Sequence, residues 1–362
     1  MVEKILNPDR ISLSVSNDLY KAFYHDAGKD VANFIAEIAP LRNQKKVLYY
    51  PEEGTYDQDI DYSNIRTIVD LRQVNRIKGI NKHFISINKL LPDAGIFIGK
   101  FESYSNRRTR VENKFGKLLG RLVWIIDFFL NRVIPKLKLT NKLYQIITGD
   151  KYKVISLAET LGRSVSCGFE VIDFKNIGNF TYFAVIKTSE PKIDKQPSYG
   201  PFFKMRRIGK DGKMIGVYKL RTMHPYSEYI QNFVINLNGY NEYGKVKDDF
   251  RVTGWSRIVR KLYLDELPQL LNVFKGEMNL VGVRPLSMVG YNYLPEDLKK
   301  ERIKYKPGCI PPYVALGKTG LNGVLEAERI YLEEMKNGPL KTNIKYFFKA
   351  LLNLALLKIS SN

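Results

Sequence analysis

The stretch Glu190-Pro-Lys-Ile-Asp-Lys-Gln-Pro-Ser-Tyr-Gly-Pro201 is one through which neither a helix nor a central strand can run. Each proline removes a backbone donor and holds the residue before it extended, and no apolar period links the three. It reads as a linker or an extended entry strand, and it divides the chain into a domain at 1–190 and a second at 191–362. Each part is long enough to bury a core of its own. Charge falls unevenly across the break. Residues 1–190 hold 29 basic and 21 acidic side chains, whereas 191–362 hold 29 and 16 within a net charge of +21. Such an excess implies an anionic partner: nucleic acid, a phosphorylated small molecule, or an acidic membrane surface.

Composition excludes several alternatives. Apolar residues at 44% and aromatics at 12% exclude a disordered chain. Cys167 and Cys309 are the only cysteines, which excludes a disulfide scaffold. With Met1 to Arg10 mostly polar, they suggest a reducing, cytosolic compartment. His25, His83 and His224 are too scattered for a zinc site.

The first part reads as α/β. Val47–Tyr50 and Thr67–Leu71 are short β-rich runs. Ile77, Ile80, Phe84, Ile87 and Leu91 recur along one helical face, with Gly79 interrupting it. Pro92-Asp-Ala-Gly95 is a turn into the strand candidate Ile96–Gly99. Phe169–Phe174 and Tyr182–Lys187 read as a hairpin across Lys175–Asn179.

Two helical stretches suit an interface. Lys117–Leu139 is strongly apolar, but Arg121, Asp127 and Arg132 interrupt it before spanning length. It is either a half-buried helix ended near Pro135 or an interfacial one with Arg132, Lys136 and Lys138 at lipid head groups. Near the C-terminus, within 341–359, Ile344, Phe347, Phe348, Leu351, Leu352, Ala355 and Leu356 recur at helical spacing. A Lys341, Lys345, Lys349 stripe lies on another face. This basic amphipathic helix can lie on an anionic bilayer or pack on its own domain. No segment reads as membrane-spanning.

The chemistry gathers in the second part. Pro201–Ile208 and Met214–Arg221 are strand-like runs around Gly209-Lys-Asp-Gly-Lys213, a hairpin signal. Its cations include Lys204, Arg207, Lys219 and Arg221. Lys219 and Arg221 alternate onto one side and could grip a phosphate; a solvated basic hairpin is the plainer alternative. Downstream, Leu264-Asp-Glu-Leu-Pro-Gln-Leu270 places two adjacent carboxylates before Pro268, and a helix from there would end at Gly276. Capping explains most acids at a helix start. Chemistry is favoured here because Asp265 and Glu266 diverge around the helix and can serve different atoms. Arg260 and Arg284 also lie in the same segment, and a helix N-terminus suits phosphate. A nucleophile, a metal and positive donors are the requirements of phosphoryl transfer.

Several ordered signatures then resemble one family: Gly200-Pro-Phe-Phe-Lys204, Arg207-Ile-Gly-Lys210, Tyr218-Lys-Leu-Arg-Thr-Met223, and Asp249 with Arg251-Val-Thr253. Leu264–Leu270, Lys275-Gly-Glu-Met-Asn-Leu-Val-Gly282, Arg284-Pro285 and Lys306-Pro-Gly308 follow in order. Residues 197–310, and more loosely those to the C-terminus, resemble the bacterial sugar transferases, the monotopic polyprenyl-phosphate phosphoglycosyl transferases.

The resemblance implies a compact helix-rich domain with a β-hairpin. It implies transfer of sugar 1-phosphate from a nucleotide diphosphate sugar, a UDP-sugar by analogy, to a polyprenyl phosphate such as undecaprenyl phosphate, in surface polysaccharide assembly. By analogy Asp265 is the nucleophile, Glu266 binds Mg²⁺ and Arg260 steadies a phosphate. Arg284 and Pro285 shape the phosphate pocket, and Lys219, Arg221, Lys204 and Arg207 supply its basic strands. The expected location is the cytoplasmic face of the bacterial inner membrane, peripheral or monotopic.

The chain departs from the family before Gly200, where Phe180–Pro191 stands in place of a long apolar re-entrant segment. The helices around 118–139 and 344–359 are the expected substitutes. Val283 also replaces the first proline of the usual Pro-Arg-Pro. Residues 75–187 resemble the C-terminal half of a class I methyltransferase fold, without the glycine-rich turn that holds the adenosyl cofactor. Two alternatives stand beside the transferase: a catalytically inactive, methyltransferase-like scaffold, or a basic nucleic-acid-binding protein. No helix-turn-helix, zinc-finger or RNP pattern supports the latter, so no nucleic-acid partner is expected.

Overall fold

The computed structural model describes residues 18–39, 47–52, 65–137, 140–149, 151–191, 202–239, 246–261 and 263–356. The linker at 192–201, Lys138 and the end of the C-terminal helix expected beyond 356 lie outside these residues. Helices and strands are mixed, and among the described residues no helix is long and apolar enough to cross a membrane. The chain forms two compact units: Met1–Tyr199 with His224–Arg251, and Gly200–Met223 with Val252–Asn362.

The first unit opens with α1 (Asp18–Ala27) and α2 (Lys29–Ile38), then alternates strands and helices. These are β1 (Val47–Tyr50), β2 (Thr67–Gln73), α3 (Ile80–Leu90), β3 (Ile96–Phe101), α4 (Tyr104–Phe115), α5 (Lys117–Phe128), α6 (Asn141–Thr148) and α7 (Leu157–Ser166). The hairpin β4 (Phe169–Ile177) and β5 (Phe180–Lys187) follows, and α8 (Gln231–Asn238) returns later. The five strands form one sheet in the order β1-β2-β3-β5-β4. β1, β2 and β3 run parallel, while β5 pairs antiparallel with both β3 and β4.

Strand alternation sends apolar residues to both faces. Val47, Tyr49, Ile96 and Ile98 face one core with Phe23, Phe34 and Ile35 of α1 and α2. Leu48, Ile68, Phe97 and Phe183 face the other, with Phe84, Leu161 and Val234 from α3, α7 and α8. The result is a sheet covered by helices on both sides, as continuous apolar strands require. The helical face expected to run through Gly79 begins only at Ile80: Gly79, with a left-handed φ of 72°, caps the start of α3, and Val74–Arg76 before it is a separate 3-10 turn.

Arg132 corrects one expectation. It is buried rather than at a lipid head group: it pairs with Glu159 at 2.8 Å and meets the His224 ring at 3.1 Å. Its segment is a π turn at Phe129–Val133 following α5.

The second unit begins with the hairpin β6 (Phe202–Ile208) and β7 (Met214–Leu220). It continues through α9 (Ser256–Lys261), a 3-10 turn (Leu264–Gln269), α10 (Leu270–Phe274), β8 (Asn279–Val281), α11 (Met288–Asn292) and α12 (Glu296–Arg302). β9 (Gly308–Ile310), α13 (Pro312–Leu316), α14 (Gly320–Asn337) and α15 (Pro339–Ala355) complete it. β8 and β9 pair in parallel. A Cβ on Gly308 would lie 2.0 Å from the Gly282 nitrogen, so this close approach accepts only glycine. The core gathers Val281, Val283, Leu298, Tyr331, Leu332 and Tyr346. α15 buries Thr342, Tyr346 and Ala350 and leaves Ile344, Phe348 and Leu352 exposed, so most of its apolar stripe faces away from the domain.

Candidate active site

Asp265 and Glu266 sit inside the 3-10 turn Leu264–Gln269, not at the start of an α-helix from Pro268. The α-helix begins only at Leu270. The expected free N-terminal donors are partly committed, since the Glu266 N–H donates to the Tyr263 carbonyl at 3.1 Å. Tyr263 enters the turn with φ of 55°, a left-handed conformation costly for an aromatic residue. That strain at the residue before the two acids marks the turn as specified by something other than backbone preference.

Asn272, fully buried, fixes the turn against β7. Its Oδ1 accepts from the Tyr218 N–H at 3.0 Å, and its Nδ2 donates to the Gly216 carbonyl at 2.9 Å and to Glu277 at 2.6 Å. Lys219, next along β7, thereby reaches both acids. Its Nζ lies 2.9 Å from Asp265 Oδ2 and 3.2 Å from Glu266 Oε1. Asp265 is fully buried, and neither of its oxygens has a well-aligned hydrogen bond. The contact with Lys219 is therefore an ion pair by distance rather than a directed bond. A buried carboxylate so sparsely satisfied is costly, and stable folds keep few of them.

The other residues expected at the site divide into two sets. Arg260 on α9 donates from Nε to Thr222 Oγ1 at 2.9 Å. Thr222 itself is held by Thr253, whose N–H donates to the Thr222 carbonyl at 3.2 Å. Arg284 is exposed, with Nη1 3.3 Å from the Tyr313 hydroxyl. Tyr313 in turn bonds Tyr263, and the charge of Glu266 adds to burial in pushing both phenols up. Arg284 is thus tied to the acid pair through two tyrosines. Pro285 lies in a segment pinned to β6, where the Ile208 N–H donates to the Leu286 carbonyl at 3.0 Å. Arg207 is half-buried close enough to Arg284 that burial and that guanidinium together hold its pKa down.

Hairpin register decides the rest. Lys219 is opposite Phe203, and Arg221 stacks its guanidinium over the Phe203 ring at 5.2 Å, so both cations share a face as expected. Lys204 is opposite Tyr218 and belongs to the other face. There its Nζ lies 4.8 Å from the Tyr218 ring, beside Lys275, which donates to the Tyr218 hydroxyl at 2.8 Å. The structure does not bring Lys204 to the carboxylates. Asp249 and Arg251, a signature within the first unit, form a bidentate fork at 2.8 and 2.7 Å that shapes their own turn.

Sequence reasoning missed Tyr263, Tyr313, Asn272 and Cys309. Burial, with Glu266 nearby, pushes the Cys309 thiol up to about 12, so it stays protonated and unreactive. The one available signal was position: Cys309 and Tyr313 directly follow the Lys306-Pro-Gly308 signature.

No group of three or more His, Cys, Asp or Glu side chains able to hold a metal occurs among the described residues. A divalent ion held by one or two carboxylates and mostly by substrate phosphates and water needs fewer ligands. The unmatched Asp265 oxygens beside Glu266 fit such an ion.

A family model described as bacterial sugar transferase matches residues 182–355. Galactosyl transferase CpsE of Streptococcus agalactiae serotype III (strain NEM316) is 31% identical over 157 residues, covering 43% of this chain and 34% of that protein. Undecaprenyl-phosphate galactose phosphotransferase of Salmonella typhimurium (strain LT2) is 34% identical over 151 residues, covering 40% and 31%. Uncharacterized sugar transferase EpsL of Bacillus subtilis (strain 168) is 42% identical over 109 residues, covering 30% and 46%. The chain spans between about a third and a half of the length of these relatives. Asp265, Glu266, Lys219 and Arg284 all lie within the matched stretch. Over residues 182–355, just under half of its length, the chain is thus similar to the bacterial sugar transferase family.

Proposed function

We propose that this protein transfers sugar 1-phosphate from a nucleoside diphosphate sugar, in particular a UDP-sugar, to a polyprenyl phosphate such as undecaprenyl phosphate. The observation that carries this reading is Asp265: a fully buried carboxylate without an aligned hydrogen bond, facing one lysine. Structural carboxylates at such depth are normally satisfied, whereas a nucleophile keeps its lone pairs available.

An Asp265 oxygen forms a bond to the sugar-bearing phosphorus, and the bond from that phosphorus to the bridging oxygen breaks. The nucleoside monophosphate leaves with the bridging oxygen. An oxygen of the polyprenyl phosphate then attacks the same phosphorus and releases the Asp265 carboxylate, giving a polyprenyl diphosphate sugar. Lys219 orients both acids and offsets their charge. Arg284, Arg221 and Arg260 would receive phosphate oxygens. Glu266, with Asp265 beside it, would hold Mg²⁺, which when bound would offset diphosphate charge.

A polyprenyl acceptor places the reaction at a membrane, and we assign the protein to the cytoplasmic face of a bacterial inner membrane as a peripheral or monotopic protein. The exposed apolar stripe of α15, beside exposed Lys341 and Lys349, supports that reading. Lys345 is committed to Glu334 at 2.8 Å. For the first unit we propose a degenerate methyltransferase-like fold, supported by three parallel strands followed by an antiparallel hairpin in the order β1-β2-β3-β5-β4.

The test incubates purified protein with Mg²⁺, undecaprenyl phosphate and a panel of UDP-sugars and follows UMP release. Release with one sugar, and phosphosugar trapped on wild type but not on Asp265→Asn, is the expected result. Turnover that survives Asp265→Asn would refute the nucleophile, and no release with any sugar would favour an inactive scaffold.

A further inference from the structure

We infer that the α5–α6 face of the first unit docks on an anionic lipid bilayer. Leu118, Leu122, Ile125 and Ile126 repeat along one side of α5, and Ile146 and Ile147 are exposed on α6. Leu118 is 81% exposed, Ile146 80% and Ile147 73%. Leu119, Phe129 and Leu143 are also more than half exposed, so large exposed apolar side chains cluster in this stretch rather than occurring singly.

The outward face is built into the backbone. α5 lies so close to α4 that a Cβ on Gly120 would come 2.7 Å from the Glu112 Cα. α6 is held by Tyr144, whose hydroxyl donates to Asn131 at 3.0 Å. The segment between them is anchored by buried Arg132, which also donates to the Val154 carbonyl at 2.6 Å. Gly120 of α5 and Tyr144 of α6 thus turn toward the unit, and the apolar side chains named above stay exposed among the described residues.

Charge selects the occupant. Residues 114–149 contain seven Lys or Arg and a single acid, Asp127. Arg107 and Asn131 bind that acid at its Oδ1, so its charge is offset internally. Lys114, Lys117, Arg121 and Lys142 are exposed beside the apolar side chains. A second copy meeting this face would bring like charges together. Anionic head groups complement them while the acyl boundary takes the leucines and isoleucines. Among the described residues no helix is long and apolar enough to cross a membrane, and Arg132 is buried in the unit where the helical stretch continues, so α5 lies in the interface plane.

This inference rests on the proposed function only in that a polyprenyl acceptor resides in a bilayer. The test sediments the full chain with vesicles of phosphatidylglycerol and phosphatidylethanolamine, and with phosphatidylcholine alone. Wild type should prefer the anionic vesicles, and Leu118→Ser/Ile146→Ser/Ile147→Ser should weaken partition at least about tenfold, with an unchanged melting curve. Unchanged partition of this variant overturns the inference, as does equal wild-type binding to neutral vesicles. Loss of self-association by light scattering, with vesicle binding intact, assigns the face to a second copy and also overturns it. Asp265→Asn should partition like wild type, and the triple serine variant should keep turnover of detergent-dissolved acceptor. If no variant or wild type turns over yet the serine variant still leaves the vesicles, docking stands and the catalytic proposal falls.

Discussion

The Arg302–Glu328 pair in the second unit allows a sharp energetic test. Both residues are 4% exposed, and Arg302 Nε lies 3.2 Å from Glu328 Oε1. Burial lowers the Arg302 pKa and raises that of Glu328, so each charge is held against a desolvation penalty that its partner offsets. Arg302 also donates from Nη2 to the Arg284 carbonyl. The pair therefore costs much of what it returns, and its product is a fixed Arg284–Pro285 segment rather than stability. Removing one partner strands the other, at about 3–5 kcal/mol for either Glu328→Met or Arg302→Met. For a unit of this size that lowers its melting transition by about 10 °C or more. The double Met variant removes both charges together and should recover to within about 2 kcal/mol of wild type, the residue being the lost bond to Arg284.

Calorimetry of the full chain, following the second unit's transition, reads these values as a double-mutant cycle. Transfer kinetics on the double variant read positioning separately. With stability restored and Arg284 untethered, KM for the nucleotide sugar should rise about tenfold while kcat moves less. Single variants within 1 kcal/mol of wild type, or a double variant as weak as both singles combined, would refute the reasoning.

Four further outcomes follow. Lys219→Met should lower kcat/KM about 10²–10³-fold, with Lys219→Arg recovering part, as single-turnover measurement would show. Asn272→Ala leaves the Tyr218 N–H and the Gly216 carbonyl unsatisfied and should cost about 2–4 kcal/mol by urea denaturation, with Asn272→Asp worse because its acid would face that carbonyl and Glu277. Burial holds the His83 imidazole below its ordinary 6.5, more than Asp70 at 3.5 Å raises it. The folded state thus favours neutral His83, so stability is full above about pH 6.5 and falls as pH drops through the folded value, a slope that His83→Gln should flatten in urea midpoints taken from pH 7.5 to 5. Lys341→Glu/Lys349→Glu should weaken anionic-vesicle binding in a salt-sensitive way, whereas Lys345→Gln should matter less because Glu334 already holds that amine.

Local elements were legible where residue chemistry settles them. The hairpin β6–β7, the strand at 47–50, the strand at 67–71 (which runs on to 73), and the adjacency of Asp265 and Glu266 follow from alternation, turn residues and spacing. Periodicity also found the apolar stripe of α15, but it could not say which stripe packs; the domain takes Thr342, Tyr346 and Ala350, a less apolar face. Lys204 was grouped with Lys219 because both lie on the hairpin, and only the register, Lys204 against Tyr218, reveals opposite faces. The turn at 264–269 misled for another reason. Pro268 marks a helix start in general, yet here Tyr263 in left-handed conformation begins a 3-10 turn earlier and carries the acids inside it. The return of His224–Arg251 to the first unit leaves no mark in composition, since it depends on contacts with residues far away in the chain.

What the structure adds to the +21 charge is a distinction between cations by task. At the acid turn, two carboxylates face one lysine, so the three side chains together retain a negative charge where a negatively charged diphosphate is proposed to bind. Lys219 alone cannot attract that substrate; its work is to hold the acids. Attraction must come from guanidiniums not held by these acids, such as exposed Arg284 beside Tyr313, and from the ion for which Glu266 is proposed. An arginine stacked on a ring keeps most of its donors for a phosphate, which a carboxylate-bound arginine such as Arg251 does not. The useful positive charge at the turn is therefore that of a guanidinium held by a ring, as Arg284 is, rather than by a carboxylate.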